Sequence, residues 1–186
     1  MPTREQWLQD VTGRFRPWFE SAGHPLPEVR VSVGFPSKGS RSKAIGECWS
    51  PTCSEDGLSQ IFIHPRKKDT VEVCAILAHE LIHAAAGLKC KHHGNFAKLA
   101  TSIGLLGPMT ATTAGPVFVE SLTALLDGLG DYPHAQLVAG NTSAGKKQTT
   151  RMIKASCHGC GYTVRSTAQW LSKGYPICPT CMEVMQ

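Results

Sequence analysis

The residues best suited to chemistry are His79, Glu80 and His83, which form an H-E-x-x-H sequence within residues 69–87. In an α-helix, residues four apart lie on one face, so the two imidazoles would stand one above the other. Two imidazoles at that separation can bind one Zn²⁺ at two corners of a tetrahedron. Glu80 would lie at the edge of the same face, where it can act as general base on a zinc-bound water. The spacing therefore predicts a catalytic zinc site.

The flanking residues predict that this stretch is a buried helix. Asp69 is a suitable N-cap, Glu72 stands at the third position of a capping box, and Gly87 is a suitable C-cap. Apolar residues surround the two histidines. They disfavour the alternative that both histidines lie on the exposed face of an amphipathic helix.

A catalytic zinc needs a third protein ligand and an open position for water. Two histidines, His92 and His93, follow shortly after the turn expected at Gly87. From spacing alone, either histidine could complete the site. The sequence lacks the longer H-E-x-x-H-x-x-G-x-x-H spacing of metzincins.

The H-E-x-x-H, followed by a short insertion and by the segment from His92 to Phe96, resembles the Spartan-related SprT-like zinc metalloproteases. The resemblance implies that His92, four residues before the aromatic Phe96, is the third zinc ligand. A departure is that Gly94 follows His93, whereas the family often has glycine directly after this ligand. The resemblance also implies a zincin-like fold, a sheet edge that holds the substrate backbone, and substrates that are bound or crosslinked to DNA.

The C-terminal residues predict a second, structural zinc site. Cys157 and Cys160 form one C-x₂-C pair and Cys178 and Cys181 another, with 17 residues between the pairs. This is the spacing of a four-cysteine zinc ribbon. A segment as short as residues 151–186 buries too little surface to fold alone, so the metal should supply much of its stability. The tail and the segment GECWSPTCSEDGLSQIFIHP also resemble SprT-like proteins of the bacterial and phage type, which carry such a ribbon.

Charge and cysteine content indicate an intracellular protein with an anionic partner. Residues 1–140 hold 13 Lys and Arg against 13 Asp and Glu, whereas residues 141–186 hold six against one. A basic tail favours DNA as a partner. Eight cysteines without a secretory signal indicate a reducing compartment, so we expect a cytoplasmic protein, nucleoid-associated or phage-encoded. No apolar run is long enough to span a membrane.

Hydrophobic periodicity predicts an α+β fold. We expect a helix over residues 3–22 that Pro17 kinks or divides, strands over 28–35, 44–49 and 60–64 in a short antiparallel sheet, and then the H-E-x-x-H helix. Further helices are expected over 95–103 and 117–129, with a loop over 105–113 between them. The predicted domains are a zincin-like metalloprotease domain over 1–138, a linker over 139–150 and a zinc ribbon over 151–186.

These expectations lead to one main functional hypothesis and one alternative. The main hypothesis is a zinc-dependent endopeptidase with one catalytic and one structural Zn²⁺, acting on protein substrates. The alternative is a non-proteolytic, nucleic-acid-binding or transcription-related adaptor.

Further residues are candidates for supporting roles. Tyr132 or His134 could stabilise the oxyanion of a tetrahedral intermediate, and Glu120 could contact a zinc-binding histidine without itself binding the metal. The four remaining cysteines are predicted to be reduced and mostly packed; they are Cys48, Cys53, Cys74 and Cys90.

Overall fold

The computed structural model describes residues 2–138 and 151–186, and it divides into two compact units, residues 1–139 and 140–186. The predicted linker, residues 139–150, lies outside the described residues. In the described part of the chain, the first unit contains four α-helices and two small sheets, and the second contains a two-stranded hairpin and one short helix. This is an α+β protein. None of the described helices combines the length and apolar character that crossing a bilayer requires.

Helix α1 (Arg4–Ser21) is confirmed as one helix. Thr3 caps it through a reciprocal capping box with Gln6, which satisfies two backbone donors at the helix start. Pro17 lies inside the helix and does not divide it. The aromatic and aliphatic stripe predicted from periodicity is fully buried and comprises Trp7, Leu8, Val11, Phe15 and Phe19.

The main sheet is mixed, and the prediction of an antiparallel sheet was wrong. Strands β1 (Val29–Val33), β2 (Gly46–Trp49) and β3 (Ser59–Ile63) lie in the order β1-β3-β2. Strand β2 pairs antiparallel with β3, but β1 pairs parallel with β3, in the register Val29 opposite Ser59. The chain reverses twice after β1, so β3 returns in the direction of β1 and inserts between β1 and β2. Strand β2 is therefore an edge strand.

Helix α2 (Thr70–Ala86) carries ten buried residues, more than any other element of the first unit. The Asp69 carboxylate accepts the Glu72 N–H at 2.8 Å, which confirms the predicted N-cap. The Glu72 side chain does not return to the cap and forms an ion pair with Lys67 instead. Gly87 ends the helix, as predicted. An almost unbroken run from Val73 to Ile82 is buried in the core, where α2 packs against the sheet, α1 and α3.

Two helices and a short hairpin complete the first unit. Helix α3 (Asn95–Ser102) and helix α4 (Pro116–Leu125) are close to their predicted positions. The predicted loop over 105–113 contains strand β4 (Leu105–Leu106), which pairs antiparallel with β5 (Thr113–Ala114). A Cβ at Gly115 would lie 2.5 Å from the Gly104 carbonyl oxygen, so this hairpin closes only because residue 115 has no side chain.

The second unit is built from strands β6 (Met152–Ser156) and β7 (Thr163–Thr167), which pair antiparallel, and helix α5 (Ala168–Leu171). Its core is small and contains Ala155, Cys157, Leu171, Cys178 and Met185. Two of these five residues are cysteines, so the apolar core is too small to account for the fold without a further crosslink.

Candidate metal centres

Three histidine side chains of the first unit converge on one point. The Nε2 atoms of His83 and His92 lie 3.2 Å apart, and those of His92 and His79 lie 3.3 Å apart. Zn–N bonds of about 2.0–2.1 Å at tetrahedral angles place two ligand nitrogens about 3.3 Å apart. These separations therefore fit a single tetrahedral ion bound through three Nε2 atoms. His93, the other candidate for the third ligand, is exposed and is not in the group.

Helix α2 and a tight turn position the three rings. His79 and His83 lie one turn apart on α2, with ring centroids 5.1 Å apart. After Gly87, a short 3₁₀ turn over Leu88–Cys90 reverses the chain, and the His93 N–H donates to the Cys90 carbonyl. This reversal returns His92 to the histidine face of α2.

Phe96 forms the apolar base of the three-histidine site. It is fully buried, and its ring centroid lies 4.5–5.0 Å from those of His79, His83 and His92. Because Phe96 stands in the first turn of α3, the same helix start places both the third histidine and the ring beneath it.

A loop residue orients His79. The Nδ1 atom of His79 lies 2.8 Å from Thr112 Oγ1 in the β4–β5 hairpin. When Nε2 is a metal ligand, Nδ1 carries the proton and donates it to the threonine hydroxyl. Thr112 was not predicted from the sequence. The Nδ1 atom of His83 is buried, and it has no hydrogen-bond partner among the described residues.

The electrostatic surroundings keep the imidazoles neutral. Burial lowers the pKa of His79 to about 4, and the neighbouring His83 and His92 add to the shift. Burial also lowers the pKa of His83 to about 4, with a further contribution from His92. Neutral imidazole is the form that binds metal, so this site is prepared for a cation at neutral pH.

Glu80 lies beside the three histidines under an edge strand. Its side chain is 7% exposed, and burial raises its pKa to about 8, with the negative charge of Glu47 adding to the shift. A cation on the neighbouring imidazoles would oppose this shift and favour the carboxylate. A Cβ at Gly46 would lie 2.5 Å from Glu80 Oε1. Gly46, which sequence reasoning also missed, is therefore the residue that lets β2 cross directly over Glu80.

The free edge of β2 borders the site. The His64 N–H donates to the Ile45 carbonyl oxygen at 3.0 Å, and the antiparallel register continues with Gly46 opposite Ile63. Since hydrogen-bonded and non-hydrogen-bonded pairs alternate, the backbone groups of Gly46 and Cys48 point away from β3. They are available to a further extended chain.

A cleft of about 410 Å³ connects these features. It is lined by the three histidines, Glu80, residues 43–48, Ile76, Leu88 and residues 110–112. Cys48 lines the cleft as well, and burial followed by the charge of Glu80 raises the pKa of its thiol to about 12. The thiol is therefore protonated at neutral pH. It is outside the group of side chains that could share one metal ion.

The other candidates from the sequence lie elsewhere. Tyr132 is buried against Trp7 with centroids 5.2 Å apart, and its N–H donates to Thr70 at the start of α2, away from the cleft. His134 and Glu120 are exposed and do not line the cleft. The described residues form no disulfide, and of the four cysteines predicted to be reduced and mostly packed, only Cys53 is exposed.

The four predicted tail cysteines form a second group. The Sγ atoms of Cys157, Cys160, Cys178 and Cys181 all lie within 4.8 Å of one another, and those of Cys160 and Cys178 are 3.5 Å apart. Tetrahedral Zn–S bonds of about 2.3 Å place two sulfurs about 3.8 Å apart, close to this distance.

Each cysteine pair sits in a turn of the same construction. The N–H groups of Gly161 and Met182 donate to the carbonyls of Cys157 and Cys178, and both residues have positive φ, 76° and 57°. The N–H groups of Cys181 and Thr180 lower the pKa of the Cys178 thiol to about 7, although burial acts against them. A lowered pKa favours the thiolate that a metal requires.

In comparisons with known proteins, no family model, no curated protein and no solved structure matches this chain.

Proposed function

We propose that this protein is a zinc-dependent endopeptidase of the SprT-like type, with a zincin-like catalytic unit and a zinc ribbon. The observation that supports it most is the convergence of three imidazole Nε2 atoms at 3.2–3.3 Å beside a buried carboxylate, in a cleft that opens on a free strand edge. A structural zinc site has no use for Glu80 or for an adjoining cleft. A hydrolytic site requires both.

A zinc ion held by His79, His83 and His92 would act as a Lewis acid on the scissile carbonyl and lower the pKa of a water. In this proposal Glu80 takes a proton from that water and delivers it to the leaving nitrogen. Thr112 holds His79 in the tautomer whose Nε2 is free to bind metal. Phe96 keeps the three rings packed on a dry base.

The edge of β2 is proposed to bind the substrate backbone. The outward backbone groups of Gly46 and Cys48 can extend the sheet by one strand, which is a common mode of peptide recognition. Because Gly46 crosses directly over Glu80, a chain bound along this edge would pass the general base. An extended substrate presents its peptide bond without competing helical hydrogen bonds.

Nucleic acid is the proposed partner of the second unit. Its described residues carry four basic side chains, Arg151, Lys154, Arg165 and Lys173, against the single carboxylate of Glu183. The exposed Trp170 ring lies beneath the Lys173 ammonium at 5.6 Å, and Tyr162 and Tyr175 are also exposed. Exposed aromatic rings next to cations are suited to stacking on bases of single-stranded nucleic acid. Proteins bound or crosslinked to DNA are accordingly the proposed substrates.

Peptide hydrolysis by zinc-loaded wild type and Glu80→Gln tests the proposal. We expect Glu80→Gln to lose at least about a hundredfold in kcat, since general base catalysis contributes about 10²–10⁴-fold. Glu120→Gln, which changes an exposed carboxylate on α4, is the matched control and should leave the rate unchanged. Equal rates for wild type and Glu80→Gln would contradict the mechanism. No hydrolysis by wild type, together with binding of DNA, would favour the adaptor function.

A further inference from the structure

Four exposed lysines lie on two loops whose residues line the cleft, and one of them, Lys43, lines it directly. Lys38 and Lys43 precede β2, and Lys89 and Lys91 lie between α2 and α3, with Lys91 next to His92. Among the described residues, the recorded ion pairs involve none of these lysines. Exposed cations attract anionic groups, and Lys38 and Lys43 are the two that line the cleft or the pocket beside it.

A second pocket of about 480 Å³ adjoins the cleft and shares three of its residues, Lys43, Ala44 and Glu47. Lys38 lines it as well. The Glu47 carboxylate accepts bonds from the Ser37 N–H at 2.7 Å, the Ser37 hydroxyl at 2.6 Å and the Trp49 indole at 3.0 Å. Partial burial acts to raise the pKa of Glu47, but these hydrogen bonds lower it overall. The carboxylate is thus ionised and held by three donors, and the positive charge of Lys38 also lowers its pKa. Neither Lys38 nor Lys43 forms an ion pair among the described residues, so both ammonium groups can contact a ligand.

The interior of the cleft is mainly apolar. Ile45, Ile76, Leu88 and Ala111 line it together with the histidines, and Ile45 is 40% exposed. An apolar side chain that entered here would cover surface that now faces water. The site therefore combines an apolar interior with an adjoining pocket that carries two lysines beside the hydrogen-bonded Glu47.

We propose that the cleft selects acidic, extended polypeptide segments, in which an apolar side chain enters beside the histidines and flanking carboxylates contact Lys38 and Lys43. This inference rests on the proposed peptidase function and names its substrate class. Along an extended chain, residues two apart are about 6.5–7 Å from each other on the same side, so one peptide can reach both adjoining pockets. A phosphate backbone, charged at every unit, would not use the apolar interior, so we favour the polypeptide.

Cleavage-site sequencing of a proteome-derived peptide library by zinc-loaded, full-length protein tests this selection. We expect acidic residues to be enriched within about three positions of the cleaved bond. For an acidic reporter peptide, the double variant Lys38→Glu/Lys43→Glu should lower kcat/KM by about tenfold, because each exposed charge pair is worth up to about fivefold. A reporter with amides in place of the carboxylates should lose much less. Lys68→Glu, which changes an exposed lysine before the N-cap of α2 and outside both pockets, is the matched control.

Two further outcomes separate this inference from the proposed function. Hydrolysis without any preference for acidic segments would overturn the inference and leave the peptidase intact. If wild type cleaves no peptide, binding of the labelled acidic reporter to zinc-loaded protein is measured by fluorescence anisotropy. Binding that the double lysine variant weakens would support acidic selection without hydrolysis. Absence of binding would overturn the inference. If the double variant weakens binding of an oligonucleotide while the cleavage profile stays the same, the lysines serve nucleic acid and the inference is wrong.

Discussion

Replacing Gly46 with alanine should displace Glu80. The new Cβ would lie 2.5 Å from Glu80 Oε1 and 2.7 Å from Ile76 Cγ2. Carbon atoms in favourable contact are about 3.5–4.0 Å apart, so the methyl group overlaps both neighbours by about 1 Å. Overpacking of this kind costs about 1–3 kcal/mol, whereas the lower entropy of the unfolded chain offsets only about 0.4–1 kcal/mol. We expect Gly46→Ala to lower the free energy of unfolding by about 1–2 kcal/mol.

Urea unfolding and peptide hydrolysis of the zinc-loaded protein measure the two consequences. With a slope of about 1–3 kcal/mol per molar urea, the midpoint should fall by about 0.3–2 M. Hydrolysis should fall by more than the fraction unfolded explains, because the carboxylate itself moves. Gly13→Ala is the control: no atom lies within 4 Å of its new Cβ on α1, so it should stabilise the helix and leave hydrolysis unchanged. A Gly46→Ala protein with the midpoint and rate of wild type would refute the close approach of β2 to Glu80.

Three further changes test the surroundings of the site. Thr112→Val removes the hydrogen-bond acceptor for His79 and should weaken zinc binding about 10–100-fold in a chelator competition. Thr110→Val in the same loop is the control and should not weaken it. Equal zinc affinities of wild type and Thr112→Val would contradict the orienting role. Tyr132→Phe deletes a buried hydroxyl that has no partner among the described residues, so the free energy of unfolding should stay level or rise, and a loss above about 1 kcal/mol would reveal a hidden bond. Folding of the metal-free protein raises the pKa of Glu80 from 4.5 to about 8, so the folded state binds this proton more tightly than the unfolded chain does. The stability that the bound proton contributes at low pH is lost as the pH rises from 4.5 to about 8. Glu80→Gln should therefore stabilise the metal-free protein more at pH 8 than at pH 5, and an equal gain at both would contradict the raised pKa.

Local sequence patterns predicted the helix that carries the metal site. The limits of α2 depend on Asp69, Gly87 and an apolar run, all of which act within a few residues of one another. Glu72 shows the limit of such rules, because its carboxylate pairs with Lys67 where the capping box would have turned it back to the cap. A salt bridge available in the preceding loop competes with the cap for the same side chain.

Contacts between distant residues were not predictable in the same way. The sequence predicted all three strands of the main sheet, the first of them from alternating apolar and polar residues, but not that β3 would insert between β1 and β2. Thr112 reaches His79 across 33 residues of chain, and a threonine in a loop has no distinguishing signal in the sequence. Gly46 precedes Glu80 by 34 residues and looks like an ordinary strand glycine. Its requirement for a small residue comes from the packing of β2 on α2.

The most direct test of the three-histidine site is the zinc content of the purified full-length protein, measured beside that of a His83→Ala variant. His83 supplies one of the converging nitrogens and is far in sequence from the four cysteines. We expect two zinc ions per wild-type chain, one for each group of ligands, and one per chain in the variant. A single zinc ion in both proteins would show that only the cysteines bind metal, and it would contradict the proposed hydrolytic centre.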